Sequence, residues 1–108
     1  MAIEVTINHF TQRDQAISEI QASGLRLVEV DITPDNLHPE PHVHPYQVDI
    51  YVLDGTFELH DTDNARTHLI NAGSKATVPA GTRHSEGPSA FRGVFGLSAD
   101  RGERRHQS

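Results

Sequence analysis

Three histidines have the types and spacing to do chemistry in this chain: His42, His44 and His84. His42 and His44 are separated by a single residue in a segment expected to be extended. A period of two then sends both imidazoles to the same face, close enough to share one metal ion, with Val43 turned away as an apolar wall residue. His84 follows the punctuation Gly73 … Pro79-Ala80-Gly81, which permits a third ligand from an adjacent strand or loop. The chain has no cysteine, so it has neither a disulfide framework nor a thiolate site, and any metal must be bound by imidazole, carboxylate or amide oxygen.

Positioning these residues requires a fold rich in strands. Val and Ile in Gln47–Leu53 make a strong strand, and Thr56–His60 another, with Asp54-Gly55 between them as a hairpin signal. Thr62-Asp63-Asn64 turns into a strand over Arg66–Ile70. Asn71-Ala72-Gly73 turns into Lys75–Val78, and Ala90–Leu97 closes the series. Leu25–Ile32 alternates as a half-buried strand does once a bulge is allowed. Pro34-Asp35-Asn36 is a turn, and Pro39, Glu40 and Pro41 stiffen the approach to His42. Before the strands, Thr11 is the expected N-cap of a short helix, with Asp14 completing a weak capping box. Ala16, Ile17 and Ile20 share a face, Phe10 is a candidate staple, and Gly24 is the expected stop. One face with two isoleucines cannot support a fold alone, so this helix is expected to lie on something larger.

Many short strands with turns every eight to twelve residues point to an all-β sandwich or barrel. The expected organisation is an N-terminal strand and helix over 1–24, a barrel over 25–98 and a polar tail over 99–108.

Here the sequence resembles the cupin superfamily. Its first motif is G-x5-H-x-H-x(3,4)-E-x6-G and its second G-x5-P-x-G-x2-H-x3-N. The second is met at Gly73, Pro79, Gly81 and His84, with Pro88 in place of the final Asn. The first is met at His42, His44 and Gly55, without the leading Gly. The resemblance covers about Leu25 to Leu97. It implies a single cupin-type double-stranded β-helix, an RmlC-like jelly-roll barrel, with a divalent transition metal (iron, manganese, nickel or zinc) held by the histidines.

The acidic ligand of the first motif departs from the family pattern. Counted back from Gly55 it is Val48, and counted forward from His44 with the longer spacer it is Asp49; Gln47 is a third candidate. Gln47 and Asp49 share a strand face and Val48 the opposite one. The ungapped count puts Val48 inside, whereas a one-residue bulge after Pro45-Tyr46 puts the polar pair inside. Three histidines alone, or with Asp49 or Gln47, all remain open.

The implied functions fall into three classes. The first is a metal-dependent enzyme, an oxygenase such as the three-histidine iron thiol dioxygenases of the superfamily, or a lyase or isomerase, acting on a small polar molecule. Asp49 or Glu86 is then the candidate proton-transfer group. The second is a non-catalytic module that binds or senses a small ligand or metal, and the third a structural or storage protein. Glu86 and Arg92 are candidate substrate groups, or simply solvated charges. Tyr46, Tyr51 and Phe57 are simplest as core or wall, although Tyr46 can point a hydroxyl into the pocket. His9, His38, His60, His68 and His106 are expected at the surface or in turns.

Composition narrows the partners. The net charge is −6, the basic cluster Arg101, Arg104 and Arg105 sits in the tail, Trp is absent and aromatics are 6%. No phosphate-tracking surface or stacking platform is visible, so nucleic acid is not an expected partner. No apolar run approaches the roughly 20 residues of a membrane span, and the start lacks a secretory signal. A cytoplasmic homodimer, paired through an exposed strand edge, is the expected setting.

Overall fold

The computed structural model describes residues 3–33, 40–87 and 89–98. The turn expected at Pro34-Asp35-Asn36, the residues His38, Pro39, Pro88 and His106, and the tail over 99–108 lie outside the described residues. Within them the order is β1 (Glu4–Thr6), α1 (Arg13–Ala22), β2 (Arg26–Ile32), β3 (Val48–Asp61), β4 (Arg66–Asn71), β5 (Lys75–Val78), β6 (His84–Glu86) and β7 (Phe91–Leu97). Every strand pairing is antiparallel. One sheet runs β1-β5-β3-β7-β2, and β4 and β6 flank the far end of β3. The result is an all-β jelly roll with one helix among the described residues.

The central element is β3, which belongs to both sheets. Its first half pairs with β5 and β7, and its second half pairs with β4 and β6. The hairpin expected at Asp54-Gly55 does not form. The strand runs through these residues, with Asp54 opposite Arg92 and Gly55 opposite Phe91. In place of a turn there is a bulge between Val52 and Asp54 that leaves Leu53 unpaired and bends the strand from one sheet to the other. Gly55 makes the corner possible. Its φ is +83°, and a Cβ there would stand 2.6 Å from the carbonyl oxygen of Ala90.

The bulge also reverses the parity of β3. Before it, Val48, Ile50 and Val52 face the core; after it, Phe57 and Leu59 do. Ile70, Ala76, Val78 and Phe91 close this core, with the Phe57 and Phe91 rings stacked at 4.4 Å. Burying such side chains stabilises the fold by about 1.5–3 kcal/mol each.

The helix covers the outer face of the larger sheet. Its N-cap is Gln12 rather than Thr11, because the Gln15 side chain reaches back to accept hydrogen bonds from the backbone N–H of Gln12 at 2.9 Å and of Thr11 at 2.7 Å. Its end is a Schellman motif: Leu25 N–H donates to Ile20 C=O, Gly24 N–H donates to Gln21 C=O, and Gly24 has φ +73°. Phe10, Ala16 and Ile20 pack on Tyr51 and Val94, with Leu25 and Leu27 at the margin. This explains why β2 needs no bulge, contrary to expectation. Its pairing with β7 is unbroken from Arg26↔Leu97 to Ile32↔Phe91. Val30 and Ile32 face the core, while Leu25 and Leu27 face the helix. Both faces are apolar there because both are covered.

A polar cluster that the sequence did not suggest fastens the helix. Glu19 accepts hydrogen bonds from the Tyr51 hydroxyl (2.5 Å), Lys75 Nζ (2.8 Å) and His9 Nε2 (2.8 Å). Partial burial alone raises the Glu19 pKa, but the bonds from Lys75, Tyr51 and His9 outweigh it and hold the carboxyl at about 2. The Tyr51 hydroxyl is pushed up by burial and by its bond to Glu19.

Two predictions follow from these contacts. Gly55→Ala combines left-handed strain with a backbone clash and is expected to lower stability by about 2–4 kcal/mol, read from the urea midpoint. Glu19 has a folded pKa below its ordinary 4.5, so its contribution is complete above pH 4.5 and is lost as the pH falls towards 2. Melting temperatures across that window are expected to fall less in Glu19→Gln than in the parent protein.

Candidate metal centre

The site is assembled where the segment carrying His42 and His44 crosses β6. His42 and His84 form an isolated antiparallel bridge in which each backbone N–H donates to the other's carbonyl, at 2.8 and 3.0 Å. Gly81, at φ +81°, donates its N–H to the carbonyl of His44 at 2.9 Å. The second motif therefore holds both ends of the ligand segment, His42 through His84 and His44 through Gly81. β6 in turn is held by β3, through Asp61↔His84 and Leu59↔Glu86.

The three imidazoles converge. A ring nitrogen from each lies within 4.8 Å of the other two. The ring of His42 is 4.4 Å from that of His84 and 4.9 Å from that of His44. His42 and His84 share a means of orientation: Nδ1 of His42 bonds to the carbonyl of Glu40 at 2.8 Å, and Nδ1 of His84 to the carbonyl of Thr82 at 3.0 Å. A carbonyl only accepts, so the proton sits on Nδ1 and the lone pair on Nε2 is turned to the pocket. His44 is steadied by Tyr46, whose ring stacks on it at 4.9 Å.

Electrostatics favour the ligating form of His44 and His84. Burial, with the neighbouring His42 and His84, lowers the pKa of His44. Burial also lowers that of His84, against the opposing effect of the Thr82 carbonyl. Both are therefore held neutral at pH 7, with lone pairs available.

Glu86 joins them from β6, two residues beyond His84 and on the same strand face. Its Oε2 is 3.7 Å from Nε2 of His42. A carboxylate oxygen stands beside the imidazole nitrogens, an oxygen donor next to three nitrogen donors. The donor set thus fits a divalent transition metal.

Gln47 and Asp49 stand elsewhere. The bulge in β3 falls at Leu53, beyond both, so Val48 faces the interior and the polar pair faces outward with Tyr51. Gln47 Nε2 donates to Asp49 Oδ1 at 3.0 Å, and the other Asp49 oxygen lies 3.8 Å from Lys75 Nζ. Arg92 is exposed on the helix side of the sheet, opposite Asp31 and Asp54. Val43, expected as a wall residue, is 47% exposed. Of the other histidines, His9 bonds to Glu19, and His60 bonds to Glu58 and Thr67.

Two cavities meet at the cluster. The outer one, about 410 Å³, is bounded by Glu40, Pro41, His42, His44 and Glu86. The inner one, about 170 Å³, runs into the barrel past His44, His84 and Glu86.

Fold and site together define a small jelly-roll barrel with a three-histidine cluster at its open end. The chain belongs to the cupin family: a family model described as a cupin domain matches residues 28–87. No curated protein matches the chain in sequence. Among solved structures it is similar to a DUF861 family protein from Thermotoga maritima, at 14% identity and a TM-score of 0.52, covering 86% of this chain and 97% of that one. It is also similar to KdgF from a Halomonas species, at 20% identity and a TM-score of 0.50, covering 87% and 77%. These two likenesses concern the fold. A third, to the polyketide cyclase RemF from Streptomyces resistomycificus, reaches 29% identity with a TM-score of 0.52, covering 66% of this chain and 52% of that one.

The hydrogen bonds at Nδ1 give a direct test. Long-range ¹H–¹⁵N spectra at pH 7 are expected to show His42 and His84 as the Nδ1–H tautomer. The Nε2–H form in either would remove the lone pair on which ligation depends.

Proposed function

We propose that this chain is a metal-dependent enzyme acting on a small organic molecule, with a divalent transition metal held by His42, His44 and His84. The observation that carries the reading is the carboxylate of Glu86 beside three converging imidazoles at the mouth of a cavity. A metal bound there supplies a Lewis acid that polarises a substrate oxygen or binds dioxygen. The carbonyls of Glu40 and Thr82 orient His42 and His84, and Tyr46 orients His44. Glu86 is positioned to take or return a proton at the substrate, a role that the Asp49–Lys75 contact leaves Asp49 poorly placed to fill. Iron, manganese, nickel and zinc all suit imidazole, and iron would make the chain an oxidoreductase of the dioxygenase kind. The likeness to a polyketide cyclase supports catalysis over the alternative of a sensing module.

The setting proposed with this reading is a cytoplasmic homodimer with no nucleic-acid or membrane partner. The lack of cysteine is in keeping with a reducing compartment, and no helix among the described residues is long and apolar enough to cross a membrane. β2, at one end of the larger sheet, offers an edge for pairing.

Elemental analysis of protein purified without added metal tests the site. About one equivalent of transition metal per chain is expected, retained in Glu86→Gln and lost in His42→Ala and His84→Ala. A wild-type protein that carries no metal and gains none on reconstitution overturns the reading.

A further inference from the structure

The inner cavity indicates what kind of molecule reaches the cluster. Its walls are mostly apolar, Val48, Ile50, Phe57, Val78, Phe95 and Leu97 among them, and its polar end is formed by His44, His84 and Glu86 with Tyr46 beside them. Phe95 and Leu97 pack against the core yet stay only partly buried, so the barrel is not filled to its end by its own side chains. His44 and Glu86 also bound the outer cavity, which makes them the junction between solvent and the apolar chamber.

Val48 is the decisive residue. Counted back from Gly55 it stands where the first cupin motif has its carboxylate, and its side chain lines the chamber. The polar wall that would have closed the inner side of the cluster is therefore replaced by an apolar one. Apolar protein cavities of about 150 Å³ admit benzene, and this chamber is about 170 Å³. A polyhydroxylated body would leave its hydroxyls unpaired against valine, isoleucine and phenylalanine, which is costly. At the polar end, a divalent ion on three neutral imidazoles with one adjacent carboxylate leaves one positive charge to be matched, as a monoanion does.

We propose that the ligand is a small organic acid with a hydrocarbon body about the size of one ring. The body occupies the chamber lined by Val48, and the carboxylate is directed to the metal position among His42, His44 and His84. The polar half of this assignment rests on the metal reading above; the apolar half rests on the chamber alone.

Calorimetric titration of the full chain, both zinc-loaded and metal-free, with benzoate, acetate and glycerate provides the test. Benzoate is expected to bind the zinc-loaded protein at least tenfold more tightly than acetate or glycerate. Val48→Phe and Leu97→Trp, which fill the chamber from two paired strands, are expected to remove that advantage while acetate binding is kept. Should either variant fail to fold, the wild-type ranking and the other variant still decide. Equal binding of the three acids, a preference for glycerate, or undiminished benzoate binding in a folded filled variant overturns the proposal. If zinc is not taken up but benzoate is still preferred, the chamber assignment stands and the metal reading falls. If zinc binds without any preference, the reverse holds.

Discussion

Two backbone hydrogen bonds between His42 and His84 carry the organisation of this protein's candidate site. They join segments some forty residues apart in the chain, and no local preference could bring these together. Once the pair is made, the rest follows from strand geometry. Two-residue periodicity brings His44 alongside His42, and Glu86 to the face that His84 occupies. The bond from Gly81 to His44 fixes the segment's far end, and only a residue at ease at positive φ can make it from that turn. A loop that would otherwise wander over the barrel mouth is thereby held to a strand, and the imidazoles it carries are oriented before any ion arrives.

That arrangement relies on β3. A strand that stayed in one sheet would offer β6 no partner on the other, and His84 would have no fixed place. The bulge at Leu53 and the bend at Gly55 let a single strand serve both sheets. The change of parity at the bulge keeps apolar residues facing inward on either side of it. The same bulge decides the character of the site, because its position beyond Asp49 leaves Val48 rather than a carboxylate facing the cavity.

Two polar clusters among the described residues show opposite solutions to burying polar groups. Around Glu19 a carboxylate is kept ionised by a lysine, a tyrosine and a histidine, so the helix is fastened by charge-assisted bonds across a partly exposed boundary. Such bonds tolerate water because their partners remain matched. At the barrel mouth burial and the neighbouring imidazoles lower the pKa of His44 and His84. The first arrangement holds two layers together; the second leaves lone pairs unspent.

Much of this was legible in the residues. Strand rhythm and turn residues define an all-β barrel, since alternation and Gly or Pro punctuation act over a few positions and depend little on context. The strand Lys75–Val78 is bounded by such residues on both sides. The second motif placed His84 at a defined step after Gly81, and the x between His42 and His44 assigned them to a common face. What local pattern could not settle was decided by partners distant in sequence. Asp54-Gly55 has the composition of a hairpin but lies in a continuous strand, because β7 pairs across it and supplies the hydrogen bonds that a turn would have provided internally. Leu25–Ile32 suggested a bulge because its apolar face changes, and the cause is a helix on the other side. Whether Val48 or Asp49 faces the cavity depended on a bulge that a one-residue shift would have reversed. Glu86 gained its place from the pairing of β6 with β3. Residue types and spacings determine what a segment can do; the direction in which it does it is set by pairing, which exists only in the folded chain.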